Sequence, residues 1–126
     1  MGLTHWFDRD HDIMYATARG PTTLEDIRAH LEHERAQHGL TCKELIDARA
    51  ASPAVSSEDV RSLVTLLREW SRQYRLGPTA VVLSTDVAFG MVRMLDMLVD
   101  EFCEIHPFRD MNEAEAWLSA DRQGNT

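Results

Sequence analysis

Residues 79–84 read TAVVLS, an unbroken apolar run entered from Gly77-Pro78 and left through Thr85-Asp86. A strand that alternates apolar and polar residues can face water on one side, but a continuously apolar strand needs cover on both faces. Helical patterns flank this run. Val60, Leu63, Val64, Leu67, Trp70 and Tyr74 make one stripe before it, and VAFGMVRMLDMLVDEF, residues 87–102, follows it. A buried strand between two amphipathic helices belongs to a parallel, helix-covered sheet. That places the chain in the α/β class.

The other segments extend this order. DRDHD is a turn between strand-like residues 4–8 and 13–19, which predicts an N-terminal β-hairpin ended by Gly20-Pro21. Thr22-x-x-Glu25 has capping-box spacing, Leu24, Ile27 and Leu31 recur at helical intervals, and Gly39 offers a stop. A first helix over about residues 23–38 follows. Residues 43–47 form a short strand, and ASPAVSSED reads as a polar loop whose Ser56 or Ser57 caps the second helix, to about Tyr74. Asp86 is placed to cap the third helix. Residues 104–108 make a last strand, and Asp110-x-x-Glu113 opens a final helix through Trp117 and Leu118, leaving DRQGNT as a frayed end. The order β-β-α-β-α-β-α-β-α predicts one domain over residues 1–126. It is a mixed, mostly parallel five-stranded sheet with four helices and an antiparallel edge from the hairpin.

A chain of 126 residues buries roughly two-thirds of its unfolded surface, enough for a core without disulfide or metal staples. The formal net charge of -8 repels phosphate backbones, and Lys43 is the only lysine among scattered arginines. Nucleic acid is therefore not an expected partner. Cys42 and Cys103 lie in unrelated segments without metal-ligand spacing and read as small buried residues. MGLTHWFDRDHD lacks signal-peptide regions, and Trp6 stands where a myristoylation motif wants Ser or Thr. No run approaches the roughly 18 apolar residues of a membrane span, so no stable membrane insertion and a cytoplasmic location are expected.

Several phrases together are distinctive: GPTTLEDI, LIDAR, AVVLSTDVAFGMVRM, and FRD followed by Glu113-Ala114 and Trp117-Leu118. In this order, from about Ile13 to Leu118, they resemble the SpoIIAA-like family, a branch of the STAS-domain superfamily related in fold to the CRAL-TRIO lipid-binding domains. Phe89-Gly90-Met91-x-Arg93-Met94 is the most specific piece. The resemblance implies a small α/β sandwich, usually without known enzymatic activity and often dimeric. Anti-sigma-factor antagonists of that superfamily carry a phosphorylatable serine in a D-S-[ST]-G motif. The matching residues here, Asp47-Ala48-Arg49-Ala50-Ala51-Ser52-Pro53, lack it. The phosphoswitch role is not carried over.

Chemistry-bearing motifs are sparse. His30, Glu34 and His38 share an i, i+4 spacing that suits zinc, yet on a helical wheel they spread around the apolar stripe, with His33 pointing outward. A solvated helix face is expected there, and no metal site. There is no G-x-S-x-G elbow, Ser84 reads as a cap or near-cap, and the six glycines are dispersed rather than gathered in a phosphate loop. No enzyme activity and no cofactor are expected.

Two regions remain. Ligands of open parallel sheets sit beyond the carboxyl ends of the strands, here Asp47-Ala48-Arg49, Ser84-Thr85-Asp86 and Phe108-Arg109-Asp110. Either Asp47 and Arg49 tie neighbouring loops by salt bridges, or Arg49 and Arg109, with the helix N-termini, receive a small anionic head group or a partner carboxylate. The second region is the helix of residues 87–102. Met91, Met94, Leu98 and Phe102 form one stripe, widened by Val92, Leu95 and Val99 on one side and Met97 on the other. Only Arg93, Asp96 and Asp100 break it. A helix on a sheet needs about 100° of apolar surface, so the excess demands a second cover. Helix two or the last helix, a second subunit, or an apolar ligand would each serve. These readings predict a non-enzymatic binding or regulatory module acting through homodimer or partner contacts. The alternative is a carrier or sensor of a small apolar or lipid-like ligand beside this helix. Candidate residues are Asp47, Arg49, Ser84, Thr85, Phe89, Met91, Arg93, Met94, Met97, Phe108 and Arg109.

Overall fold

A computed structural model describes residues 3–37 and 39–120. Strands β1 (Leu3–Asp8) and β2 (Ile13–Thr23) precede helix α1 (Leu24–Ala36), and strand β3 (Lys43–Ala54) leads to α2 (Ser57–Ser71). Then come β4 (Thr79–Val82), α3 (Asp86–Val99), β5 (Ile105–Phe108) and α4 (Met111–Ser119). The five strands lie in sequence order, with β1 antiparallel to β2 and every later pair parallel. This is the expected mixed α/β sheet with its N-terminal hairpin.

Successive parallel strands that step in one direction, joined by right-handed crossovers, put all the connecting helices on one face. The core divides accordingly. On one side Ala18, Ala48, Val81, Leu83 and Ile105 of the sheet pack with Val60, Val64 and Leu67 of α2 and Ala88 and Val99 of α3. On the other, Leu45, Ala80 and Val82 pack with Ala114 and Leu118 of α4. Strand β4 is buried along Ala80, Val81, Val82 and into Leu83, as a doubly covered strand must be. The α2 stripe is buried at Val60, Leu63, Val64, Leu67 and Trp70, and Ser56 caps that helix in a box with Asp59.

Five local expectations are corrected. Strand β2 does not stop at Gly20-Pro21, and β3 does not give way to a loop at ASPA: the two segments pair, from Arg19↔Ala50 to Thr23↔Ala54. Between Thr17↔Asp47 and Arg19↔Ala50 the register shifts, Ala48 and Arg49 of β3 standing opposite the single residue Ala18, and Gly20 just beyond takes a positive φ of 68°. The first capping box is Thr23 with Asp26, one residue later than Thr22 with Glu25, because the helix begins at Leu24. Thr85, not Asp86, caps α3, its hydroxyl oxygen accepting from the Ala88 N–H. Helix α1 ends at Ala36, before Gly39, whose N–H donates to the Glu34 carbonyl. His38 and residues 121–126, including the tail expected to fray, lie outside the described residues. Among the described residues, no helix is long and apolar enough to cross a membrane.

Candidate functional site

The sheet face under α1–α3 is floored by small side chains. Ala18, Ala48 and Ala51 stand where larger residues would reach the helices above. The gap is a cavity of about 230 Å³, walled by Leu63 and Leu67 of α2 and by Met91 and Leu95 of α3. Protein interiors are packed about as densely as organic crystals, with few voids larger than a water molecule. A void of this size within an apolar wall is an exception to that density.

One end of the cavity is polar. His30 and Glu34 of α1 and Glu44 of β3 line it, at 6%, 2% and 6% exposure. His30 Nε2–H donates to Glu44 Oε2 at 2.6 Å, and Glu34 Oε2 lies 3.3 Å from the same nitrogen. One proton on Nε2 cannot serve both carboxylates. Among the described residues, Glu34 Oε2 and His30 Nδ1 have no hydrogen-bond partner. Burial alone would strip His30 of its proton, but the two facing carboxylates outweigh that and push its pKa up to about 10. Glu44 is pushed up to about 8, first by desolvation and, against the pull of His30, by the charge of Glu34. The rings of His5 on β1 and His33 on α1 pack beside them, His5 lying 5.6 Å from His30 and 4.2 Å from His33. Desolvation and these two imidazoles lower the pKa of His5.

This cluster overturns the solvated face expected for His30 and Glu34. The wheel placed them beside the Leu24–Ile27–Leu31 stripe, but those three are only half-buried while His30 and Glu34 turn inward. The cause lies on another element. Glu44 faces them from the strand beneath, and three ionisable groups share one desolvated space. The available signal was a glutamate at the start of the otherwise apolar strand segment ELI, paired with an i, i+4 His–Glu on the preceding helix.

The strand ends do converge. Asp47 takes both the Nε and an Nη of Arg49 at 2.9 Å, and this guanidinium holds the Asp47 carboxyl below its ordinary range. Ser84 Oγ donates to the Arg49 carbonyl at 2.8 Å, and Leu83 N–H donates to the Phe108 carbonyl. Arg109 pairs with Asp86 and lies over the Phe89 ring, 4.7 Å from its centroid. Of the candidate residues, Asp47, Arg49 and Ser84 are thus joined in one group and Phe89 and Arg109 in an adjoining one, with Thr85 occupied as a cap. Both arginines have carboxylate partners, but Asp47 lies two residues before Arg49 on β3 itself, so only the Arg109–Asp86 pair ties separate segments.

Helix α3 is two-sided. Ala88 and Val99 are buried, and Phe89, Met91, Val92 and Leu95 are half-buried against the sheet. On the far side Val87, Met94, Met97 and Leu98 are exposed, Val87 at 68% and Met97 at 69%. Cover by helix two or the last helix is therefore not what the excess apolar surface receives. Helix α4 lies on the opposite face of the sheet, and α2 meets only the inner side of α3. Arg93 is exposed beside Met94, whereas Phe108 is half-buried and lies by Trp117 of α4.

No protein-family model and no curated protein sequence matches this chain. A solved structure does. It is an uncharacterized protein from the DUF3478 family with a SpoIIAA-like fold, from Shewanella loihica PV-4. It superposes with a TM-score of 0.64 at 18% identity, over 93% of each chain. The fold of this chain is SpoIIAA-like.

Proposed function

We propose that this chain is a non-enzymatic, cytoplasmic binding module that holds a small apolar molecule in the cavity beneath α3. The cavity itself carries the reading. About 230 Å³ of apolar-walled space, partly open to solvent, gives such a molecule a place to leave water. A smaller cavity of ~150 Å³ with apolar walls already takes up benzene. Ser84 supports the absence of nucleophilic chemistry, because its hydroxyl is spent on the Arg49 carbonyl.

Native mass spectrometry of the purified chain tests this reading, together with titration by the neutral fluorophore N-phenyl-1-naphthylamine. Adduct mass removable by organic solvent is expected, with fluorophore binding that Ala48→Leu reduces by filling the floor. A chain free of adduct that binds the fluorophore equally with and without Ala48→Leu would sink it.

The exposed ridge of α3 favours a second reading, in which the module works through a homodimer or a protein partner. Val87, Met94, Met97 and Leu98 give an apolar strip that a symmetric copy can match without pairing charges. The two readings use opposite sides of one helix and are compatible.

A further inference from the structure

We infer that His30, Glu34 and Glu44 form a binding site for a divalent transition-metal ion, whose open coordination position faces the cavity. One nitrogen and two carboxylate oxygens, one from each residue, lie within 4.8 Å of one another, and all three side chains are buried. Bonds of about 2.0–2.1 Å in a tetrahedral site put neighbouring donor atoms about 3.3 Å apart. The His30 Nε2 to Glu34 Oε2 separation is already 3.3 Å, and the 2.6 Å to Glu44 opens when an ion replaces the proton between them.

An independent observation points to the same spot. Glu34 is 2% exposed, and its Oε2, directed at Nε2, has no hydrogen-bond partner among the described residues. The one cationic group beside this oxygen, His30 at 3.3 Å, already gives its Nε2 proton to Glu44, so the oxygen is free to ligate an ion that takes that proton's place. The charges agree too, since two carboxylates, a neutral imidazole and a divalent ion sum to zero, as a desolvated site requires. One imidazole and two carboxylates with no thiolate suit Zn²⁺, Mn²⁺ or Fe²⁺. Three protein ligands leave a further position, and the cavity these residues line is where it points. The site stands apart from the apolar-ligand reading, because an ion binds whether the rest of the cavity is filled or empty.

The test is calorimetric titration of the full, chelator-treated chain with Zn²⁺ and Mn²⁺, with Co²⁺ absorption reporting the coordination. One ion per chain is expected. Glu34→Gln, which keeps shape and burial, should weaken uptake by at least about 100-fold, since losing a group that merely orients a metal ligand costs about 10–100-fold. His33→Ala should leave uptake unchanged. Equal uptake by the parent and Glu34→Gln overturns the inference, as does a loss confined to His33→Ala, which would place the ion on exposed imidazoles. If Glu34→Gln fails to fold, the parent chain decides alone. Co²⁺ bands of a nitrogen–oxygen site that Zn²⁺ displaces support the inference, and their absence overturns it.

Discussion

The His30 imidazole and the Glu44 carboxylate meet 2.6 Å apart between α1 and β3, with Glu34 closing over them. His30 and Glu44 are ionisable and nearly out of water, so they tie protonation to folding. His30 has a folded pKa of about 10 against an ordinary 6.5, and Glu44 about 8 against 4.5. Both are raised, so at these two groups the folded chain binds more protons than the unfolded one. The cluster's contribution is complete below the unfolded values and is lost as pH rises through the folded ones. Chelator-treated protein should therefore lose at least about 1 kcal/mol between pH 6 and pH 9. Urea midpoints across that range check the sign, and a rising midpoint would contradict the protonation assigned here.

Gly77→Ala should destabilise. An added Cβ would sit 2.1 Å from the Cys42 carbonyl oxygen and 2.9 Å from that of Thr41, both backbone atoms that no rotamer change can move. Gly77 N–H is also bonded to the Leu40 carbonyl, which fixes the approach. A loss of about 1–3 kcal/mol is expected, readable as a lowered midpoint in denaturant.

Gly90→Ala should act the other way. Gly90 lies inside α3, and a Cβ there meets nothing within 4 Å. Replacing glycine by alanine in an exposed helix interior stabilises by about 0.5–1 kcal/mol, or a melting temperature higher by about 2–5 °C. A lower melting temperature would show that a neighbour packs against this helix in solution.

Met97→Glu should leave the fold intact, because Met97 is 69% exposed, and surface changes usually stay within about 0.5 kcal/mol. It should shift the sedimentation of the chain from dimer to monomer. A parent chain that sediments as a monomer at every concentration would remove the homodimer reading while leaving the cavity reading untouched.

The two thiols should separate by reactivity. Cys103 is buried, and desolvation, then the charge of Glu104, pushes its pKa up to about 11. Cys42 is half-buried, its pKa also raised by desolvation. Because only the thiolate reacts, iodoacetamide at pH 8 should label Cys42 slowly and spare Cys103 until the chain unfolds. Peptide mass analysis reads this directly.

The legible parts of the fold were those whose signal is local. TAVV declared a doubly covered strand and Val60–Trp70 an amphipathic helix, since each pattern needs only its own neighbours in sequence. Pairings between distant segments were not legible. ASPA reads as a loop until Gly20–Thr23 lies alongside to hydrogen-bond it, and the bulge before it has no signature in Asp47-Ala48-Arg49-Ala50. The site divides the same way. The strand-end residues followed from topology, whereas the buried His30–Glu34–Glu44 cluster needed a carboxylate from a second element, and the cavity needed the joint smallness of Ala18, Ala48 and Ala51 on two strands. The far side of α3 was read correctly as surplus, but what covers a surplus is settled by its neighbours in space.

The extension of β2 and β3 beyond the rest of the sheet has its own effect on how copies of this chain meet. Among the described residues, β1 pairs with β2 only as far as Ala18 and β4 with β3 only as far as Asp47, so residues 19–23 and 50–54 pair with each other beyond the rest of the sheet. Unpaired strand edges invite a stray strand to add on and propagate. Each strand of the overhang carries a proline, Pro21 facing Ser52 and Pro53 facing Thr22, and a proline has no N–H to offer a ladder. The dipeptides that look like punctuation in the sequence thus serve as guards against runaway sheet growth.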